Sequence, residues 1–428
     1  MTVDLSTIIA ARNADTPESR AAEEHDRADP LAGLRARFAL PDGEIYLDGN
    51  SLGAMPKAAP EIMAGEMEAG WGRDLIRSWN SRDWHMLPVT AGDRLAPLMG
   101  AQPGEVLVAD STSVNLYKLA CAALHMRPGR ETIISEANNF PSDIHILQGI
   151  VRDMFAGKRI ALAGDDDESV LALLDADTAL VCLSHVNYRT GRLRDMARLT
   201  RAAHDAGALV IWDLAHSLGA LPVDLNGCEA DFAVGCSYKY LNGGPGAPAW
   251  LFVARRHLAA ARNPLTGWQG HATPFAFDID YRPAETIEKF RCGTPPVLAY
   301  LPLLESLSIF RRTGMEALRE KSLALTGSFI KLCDGMLAGH GFELVTPRAE
   351  VERGSQVALT HENGWPIMQA LIAAGVIGDF RAPDILRFGF TPLYTSHADV
   401  WGAAATLAAI METGFWKDPA FTARKLVT

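Results

Sequence analysis

The sequence predicts an α/β protein: a large domain built on a mostly parallel sheet with flanking helices, plus a smaller α+β domain. Three observations predict it. The chain has 428 residues, too many for one small core. Between residue 45 and about residue 302, short apolar runs alternate with amphipathic stretches, the rhythm of strands buried between helices. Beyond that point long helical patterns mix with isolated strand-like runs.

Residues 1–44 are charged and Ala-rich. They predict helices joined by loops, a segment that belongs with the smaller domain. In the large domain, 45–302, apolar runs predict strands at 106–109, 131–135, 159–163, 179–184, 208–212, 232–236 and 249–253. A helix at 196–206 separates two of them. In the smaller domain, 303–428, one long helical pattern covers 303–338. Strand-like runs follow at 342–345 and 356–360, then a helix at 366–374, a strand at 385–390 and a last helix at 398–413.

Formal net charge is -11, which argues against nucleic acid or an anionic membrane as the main partner. A small anionic ligand in a local positive pocket remains compatible with it. The 6 cysteines are scattered without a CxxC pair, so neither a structural zinc site nor a disulfide framework is expected. No HExxH or comparable metal-ligand spacing occurs. The N-terminus lacks a basic stretch followed by an apolar run, and no apolar segment is long enough to span a bilayer. A cytoplasmic protein is expected.

The densest constellation lies at 208–246. The apolar run Ala208–Trp212 ends in Asp213, followed by His216. The next run ends just before Tyr238-Lys239-Tyr240 and a Gly-rich turn. A carboxylate and a lysine at the carboxyl ends of neighbouring strands sit where such sheets bind ligands. That pair is what pyridoxal 5'-phosphate (PLP) requires: an amine for an internal Schiff base and an acid beside the pyridine nitrogen. A second feature, Ser111-Thr112-Ser113, precedes a helical pattern. Free N–H groups and hydroxyls there suit a phosphate, although a simple N-cap gives the same pattern. The third is Asn139-Phe140-Pro141-Ser142-Asp143, after a strand. Its aromatic can stack on a pyridine ring, and Asp143 can hydrogen-bond the cofactor. A Pro-containing turn with a packed Phe is the plainer alternative.

Together, LDGNSLG (47–53), NFPSD (139–143), SHVNYRTG (184–191), WDLAHSLG (212–219), CSYKYLNGGPG (236–246), GWQGH (267–271) and LRFGFTPLY (386–394) closely resemble the kynureninases. The resemblance spans about residues 45–401. It implies the fold type I PLP-dependent transferase fold, a homodimer with the active site at the subunit interface, and hydrolysis of L-kynurenine or 3-hydroxykynurenine to an anthranilate and L-alanine. Carried onto matching positions, it makes Lys239 the Schiff-base lysine and catalytic base. Asp213 becomes the partner of the pyridine nitrogen, with His216 in support, and Tyr238 a proton donor or phosphate ligand. Phe140 stacks on the ring, while Thr112, Ser113 and Tyr238 lie near the phosphate and Trp268 reaches it from the partner subunit. Asp143, Ser184 and Thr294 line the cofactor. Arg387 binds the substrate carboxylate, and Ser51, Trp79 and Thr294 line the pocket for the aromatic ring. The Trp79/Thr294 pair implies a preference for kynurenine lacking the 3-hydroxyl. The rival within PLP enzymes is a cysteine desulfurase or selenocysteine lyase-like activity, which needs an accessible cysteine on a loop well after Lys239. Only Cys292 and Cys333 follow it.

Overall fold

The computed structural model describes residues 5–424. Residues 1–4 and 425–428, the extremes of the expected N-terminal segment and C-terminal domain, lie outside the described residues. The chain forms two compact units. One comprises residues 58–188 and 194–308; the other comprises residues 1–57, 189–193 and 309–428.

The first unit holds a seven-stranded sheet: β1 (Val106–Val108), β2 (Thr132–Glu136), β3 (Arg159–Ala163), β4 (Thr178–Ser184), β5 (Leu209–Asp213), β6 (Phe232–Gly235) and β7 (Trp250–Val253). Each lies within two residues of its expected position. The spatial order is β1-β7-β6-β5-β4-β2-β3. Strands β6, β5, β4, β2 and β3 pair in parallel, while β7 runs antiparallel to both β6 and β1. The reversal has a local cause. No helix intervenes between β6 and β7, and a parallel return requires a long crossover. All strands except β3 are buried at every position. That is why they read as continuous apolar runs rather than alternating ones. β3 lies at the sheet edge and is largely uncovered.

Helix α1 (Thr112–His125) presents Leu116, Leu119, Ala120 and Ala123 to a core shared with Ile133, Ile211, Val234 and Leu251. Helix α2 (Pro141–Asp153) starts at a proline, whose fixed φ and missing N–H suit a first helical position. The carboxyl ends of β2, β4, β5 and β6 carry Glu136, Ser184, Asp213 and the stretch leading to Lys239.

The second unit has a four-stranded antiparallel sheet in the order Glu343–Leu344, Gln356–Thr360, Ile385–Gly389, Asp379–Arg381. A separate two-strand pair joins Ile45–Tyr46 to Val376–Ile377. Ile8, Ile45 and Leu47 share one apolar core with Phe329, Phe388 and Leu407, so the N-terminal helix Leu5–Arg12 packs into this unit. Helix His397–Thr413 shows its signals openly: a Ser396/Asp399 capping box at one end and Gly414 with φ 70° at the other.

One expectation is corrected. The single helix read over 303–338 is two, Val297–Phe310 and Met315–Met336. The chain turns at 311–313 and Gly314 is extended, with ψ 147°. The helical periodicity resumes so soon after the turn that the break is hidden in the pattern.

Candidate active site

In the first unit, the carboxyl ends of the strands border a cavity of about 340 Å³ lined by Thr112, Ser113, Phe140, Asp143, Ser184, Asp213, His216, Tyr238 and Lys239. Nine expected site residues from five separate stretches of chain therefore meet in one place. Lys239 Nζ lies 2.9 Å from His216 Nε2 and 5.9 Å from the centroids of both the Phe140 and Tyr238 rings.

Asp213 ends β5 and is buried, with Oδ1 accepting the Ala215 N–H at 2.7 Å. Asp143 is in the first turn of α2 and also buried. Burial raises both carboxyls above the usual range. The charge of Asp213 raises Asp143 further, while the Ala215 N–H and Lys239 draw Asp213 back down. The neighbouring Cys236, then burial and Asp213, also raise the Tyr238 phenol, so it keeps its proton at neutral pH.

Also in the lining, Ser111 caps α1 and Thr112 and Ser113 open it, presenting N–H groups and hydroxyls of the first helical turn. Asp110 precedes them with φ 53°. Its carboxylate is paired with the fully buried Lys118, which also donates to Phe290 O at 2.6 Å. The ion pair offsets a negative charge that would otherwise face a bound phosphate. Ser111 of the expected phosphate cluster lines the cavity too, as do Asp110, Ser142, Tyr188 and Cys236, to which the sequence assigns no site role. For Asp110 the sequence held one signal, a buried-helix lysine eight positions later.

Trp79, Trp268 and Thr294 are not in the cavity lining. Trp79 packs edge-on against Trp84 at 5.7 Å. Trp268 is 41% exposed and stacks beside Phe277. Thr294 is exposed.

Arg387 and Ser51 lie in the second unit. Arg387 is 1% exposed, so it is not a solvent-facing strand residue. It faces Asp379 across two antiparallel strands. Its Nε donates to Asp379 Oδ1 at 2.8 Å, and one Nη to Oδ2 at 2.7 Å and to Ser51 Oγ at 3.2 Å. Arg381 also pairs with Asp379 at 2.7 Å. Burial and the Asp379 charge raise Asp48 to about 7, and its Oδ1 has no hydrogen-bond partner. The folded state therefore holds a proton that the unfolded chain, with an Asp near 3.9, releases. Stability then falls as pH rises from about 4 to 7. Asn at position 48 should remove that fall. Urea unfolding should find Asp48→Asn more stable than wild type at pH 8 by on the order of 4 kcal/mol, with a much smaller difference at pH 4.5. Equal differences at both pH values would refute the assignment.

The cavity's residues suit PLP: an amine, two buried acids and a helix N-terminus. Asp143 and Asp213 hydrogen-bond each other in the buried floor of the cavity, the raised Asp143 as the acid and Asp213 as the carboxylate, so the pair can present one negative charge to a protonated ring nitrogen. The fold agrees. A cysteine desulfurase from Thermococcus onnurineus NA1 is similar with a TM-score of 0.76, at 18% identity over 89% of this chain and 98% of its own. C-DES, in a structure with glycine covalently linked to its PLP cofactor, is similar with a TM-score of 0.75, at 18% identity over 87% of this chain and 98% of its own. The fold is thus that of the fold type I PLP-dependent enzymes. A kynureninase of Burkholderia pseudomallei (strain 1106a) is 51% identical over 407 residues, 94% of this chain and 98% of its own. One of Pseudomonas fluorescens is 47% identical over the same shares. The kynureninase C-terminal domain family matches residues 318–407. The chain belongs to the kynureninase family.

Proposed function

We propose that this protein hydrolyses the Cβ–Cγ bond of L-kynurenine to anthranilate and L-alanine, in tryptophan degradation. The observation that carries the reading is the convergence of Lys239, His216, Asp213 and the N-terminus of α1 on one cavity, in a chain 51% identical to a kynureninase over nearly its full length.

Bound at Lys239, PLP would supply an electron sink for bond changes at the substrate's α- and β-carbons. The chain's own residues do the rest. Lys239 Nζ takes the proton from Cα, and His216 Nε2 at 2.9 Å is a proton acceptor or donor for that amine. Asp213 offers its buried carboxylate to the protonated ring nitrogen, a cation that would compensate the burial now raising its pKa. Thr112, Ser113 and the free N–H groups of α1 would hold the phosphate. Phe140 would cover a ring face. Tyr238 returns a proton to the leaving carbon, since its phenol remains protonated. Arg387 binds the substrate carboxylate.

The active form is a cytoplasmic homodimer in this reading. Trp268 is outside its own chain's cavity lining and sits exposed among Phe275 and Phe277, so its contact with a phosphate would come from a second copy. The described residues include no helix long and apolar enough to cross a membrane. The desulfurase alternative lacks support in the cysteines. Cys333 is buried in a helix, and half-buried Cys292 directs its sulfur at Leu265 O, 3.2 Å away.

The deciding experiment incubates the PLP-loaded protein with L-kynurenine, 3-hydroxykynurenine and L-cysteine. Anthranilate and alanine in equal amounts are expected, faster than the 3-hydroxy product, with no sulfide. Sulfide release without anthranilate would reject the reading. In the same assay Tyr238→Phe should form alanine on the order of 100-fold more slowly while sedimenting as the same dimer. Full activity would confine Tyr238 to phosphate binding.

A further inference from the structure

Phe140 and Ser184 enter the cavity from different parts of the chain, one from the turn before α2 and the other from the end of β4. A single buried atom joins them. Asn139 is 4% exposed. Its side-chain oxygen accepts the Phe140 N–H at 2.7 Å and the Ser184 hydroxyl at 2.7 Å. The amide's orientation follows from chemistry, because a backbone N–H only donates, so the atom facing it must be the oxygen. The amide nitrogen faces Ser135 Oγ at the longer distance of 3.4 Å.

Two consequences follow. The Ser184 hydroxyl proton is committed to Asn139, so Ser184 turns its lone pairs toward the cavity and serves there as an acceptor. The Phe140 backbone is fixed at the point where α2 begins, which aims its ring: the ring stands edge-on to Tyr188 at 5.2 Å and 5.9 Å from Lys239 Nζ. The base of this arrangement is rigid. Ser184 N–H donates to Glu136 at 2.7 Å, and Glu136 is itself paired with buried Arg194 at 2.9 Å.

We propose that Asn139 is a positioning residue for cofactor binding, locking the Ser184 hydroxyl as an acceptor and fixing the Phe140 ring through one shared oxygen. This rests on the reading that the cavity holds PLP.

The test measures PLP dissociation constants of apoprotein by titration, and visible circular dichroism of the bound coenzyme. The proteins are wild type, Asn139→Ala, Ser184→Ala, the double variant and Asn139→Asp. Asn139→Ala should bind PLP at least tenfold more weakly, with an altered dichroic band. The loss should shrink to threefold or less when Ser184 is already alanine, since contacting partners are not additive. Asn139→Asp keeps the accepting oxygen and should recover most of the affinity, and it supplies the answer if the alanine variant does not fold. Unchanged affinity in Asn139→Ala, an equal loss in both Ser184 backgrounds, or an Asp variant as weak as the Ala variant would each overturn the proposal. Wild-type apoprotein that takes up no PLP would instead overturn the underlying cofactor reading.

Discussion

Alanine at position 239 is expected to lower turnover of L-kynurenine by about four orders of magnitude, the upper range for loss of a positioned acid–base group. The amine is the one basic nitrogen in the cavity lining besides His216, and the two are in contact at 2.9 Å. His216 cannot replace it, because covalent attachment of the coenzyme requires a primary amine. Folding should survive, since Lys239 is only half-buried and its partner His216 can turn to solvent in the open cavity. The check is threefold: single-turnover kinetics, unfolding by urea, and borohydride reduction followed by peptide mapping. Wild type should carry reduced coenzyme at Lys239 and the variant none. Activity in Lys239→Ala within tenfold of wild type would remove the lysine from the chemistry.

The second large effect is expected at Arg387. Its guanidinium uses Nε and an Nη in a two-point bond to Asp379, a planar fork that lysine cannot reproduce. Lysine at 387 would leave one Asp379 oxygen short of a partner in a site where both side chains are almost fully buried. Truncating such a pair costs roughly 2–5 kcal/mol, a loss that urea unfolding of Arg387→Lys should register. Lysine also gives a substrate carboxylate one charge-assisted hydrogen bond fewer, worth about 1.5–3 kcal/mol, so KM for L-kynurenine should rise on the order of 10- to 100-fold, while kcat changes less, because the carboxylate is held alike in ground and transition states. Amides or decarboxylated analogues of the substrate should lose the distinction between wild type and variant. An unchanged KM in Arg387→Lys would reject the clamp and leave Arg387 as the structural partner of Asp379 alone.

Much of the cavity is legible in the sequence. Asp213, Ser184 and the Lys239 stretch each follow a continuous apolar run, and such a run marks a strand buried on both faces, whose carboxyl end is a ligand position. The N-terminus of α1 was legible for a similar reason, since Ser111 precedes residues at helical spacing. Asn139 sits within a segment already singled out, yet its role depends on a serine 45 positions away, which no local pattern reports. The fork between Arg387 and Asp379 depends on the pairing of two strands, one of them only three residues long and carrying no apolar run of its own.

What the sequence determined by itself was local: which stretches are apolar enough to be buried, where helices are capped, and which reactive side chains stand at strand ends. These follow from short-range periodicity and residue chemistry. Tertiary structure alone decided the strand order, the antiparallel course of β7, the break at 311–314, and the partners of Asn139 and Arg387. Those depend on contacts between segments far apart in the chain, whose free energy is shared over many residues and leaves no mark on any one of them.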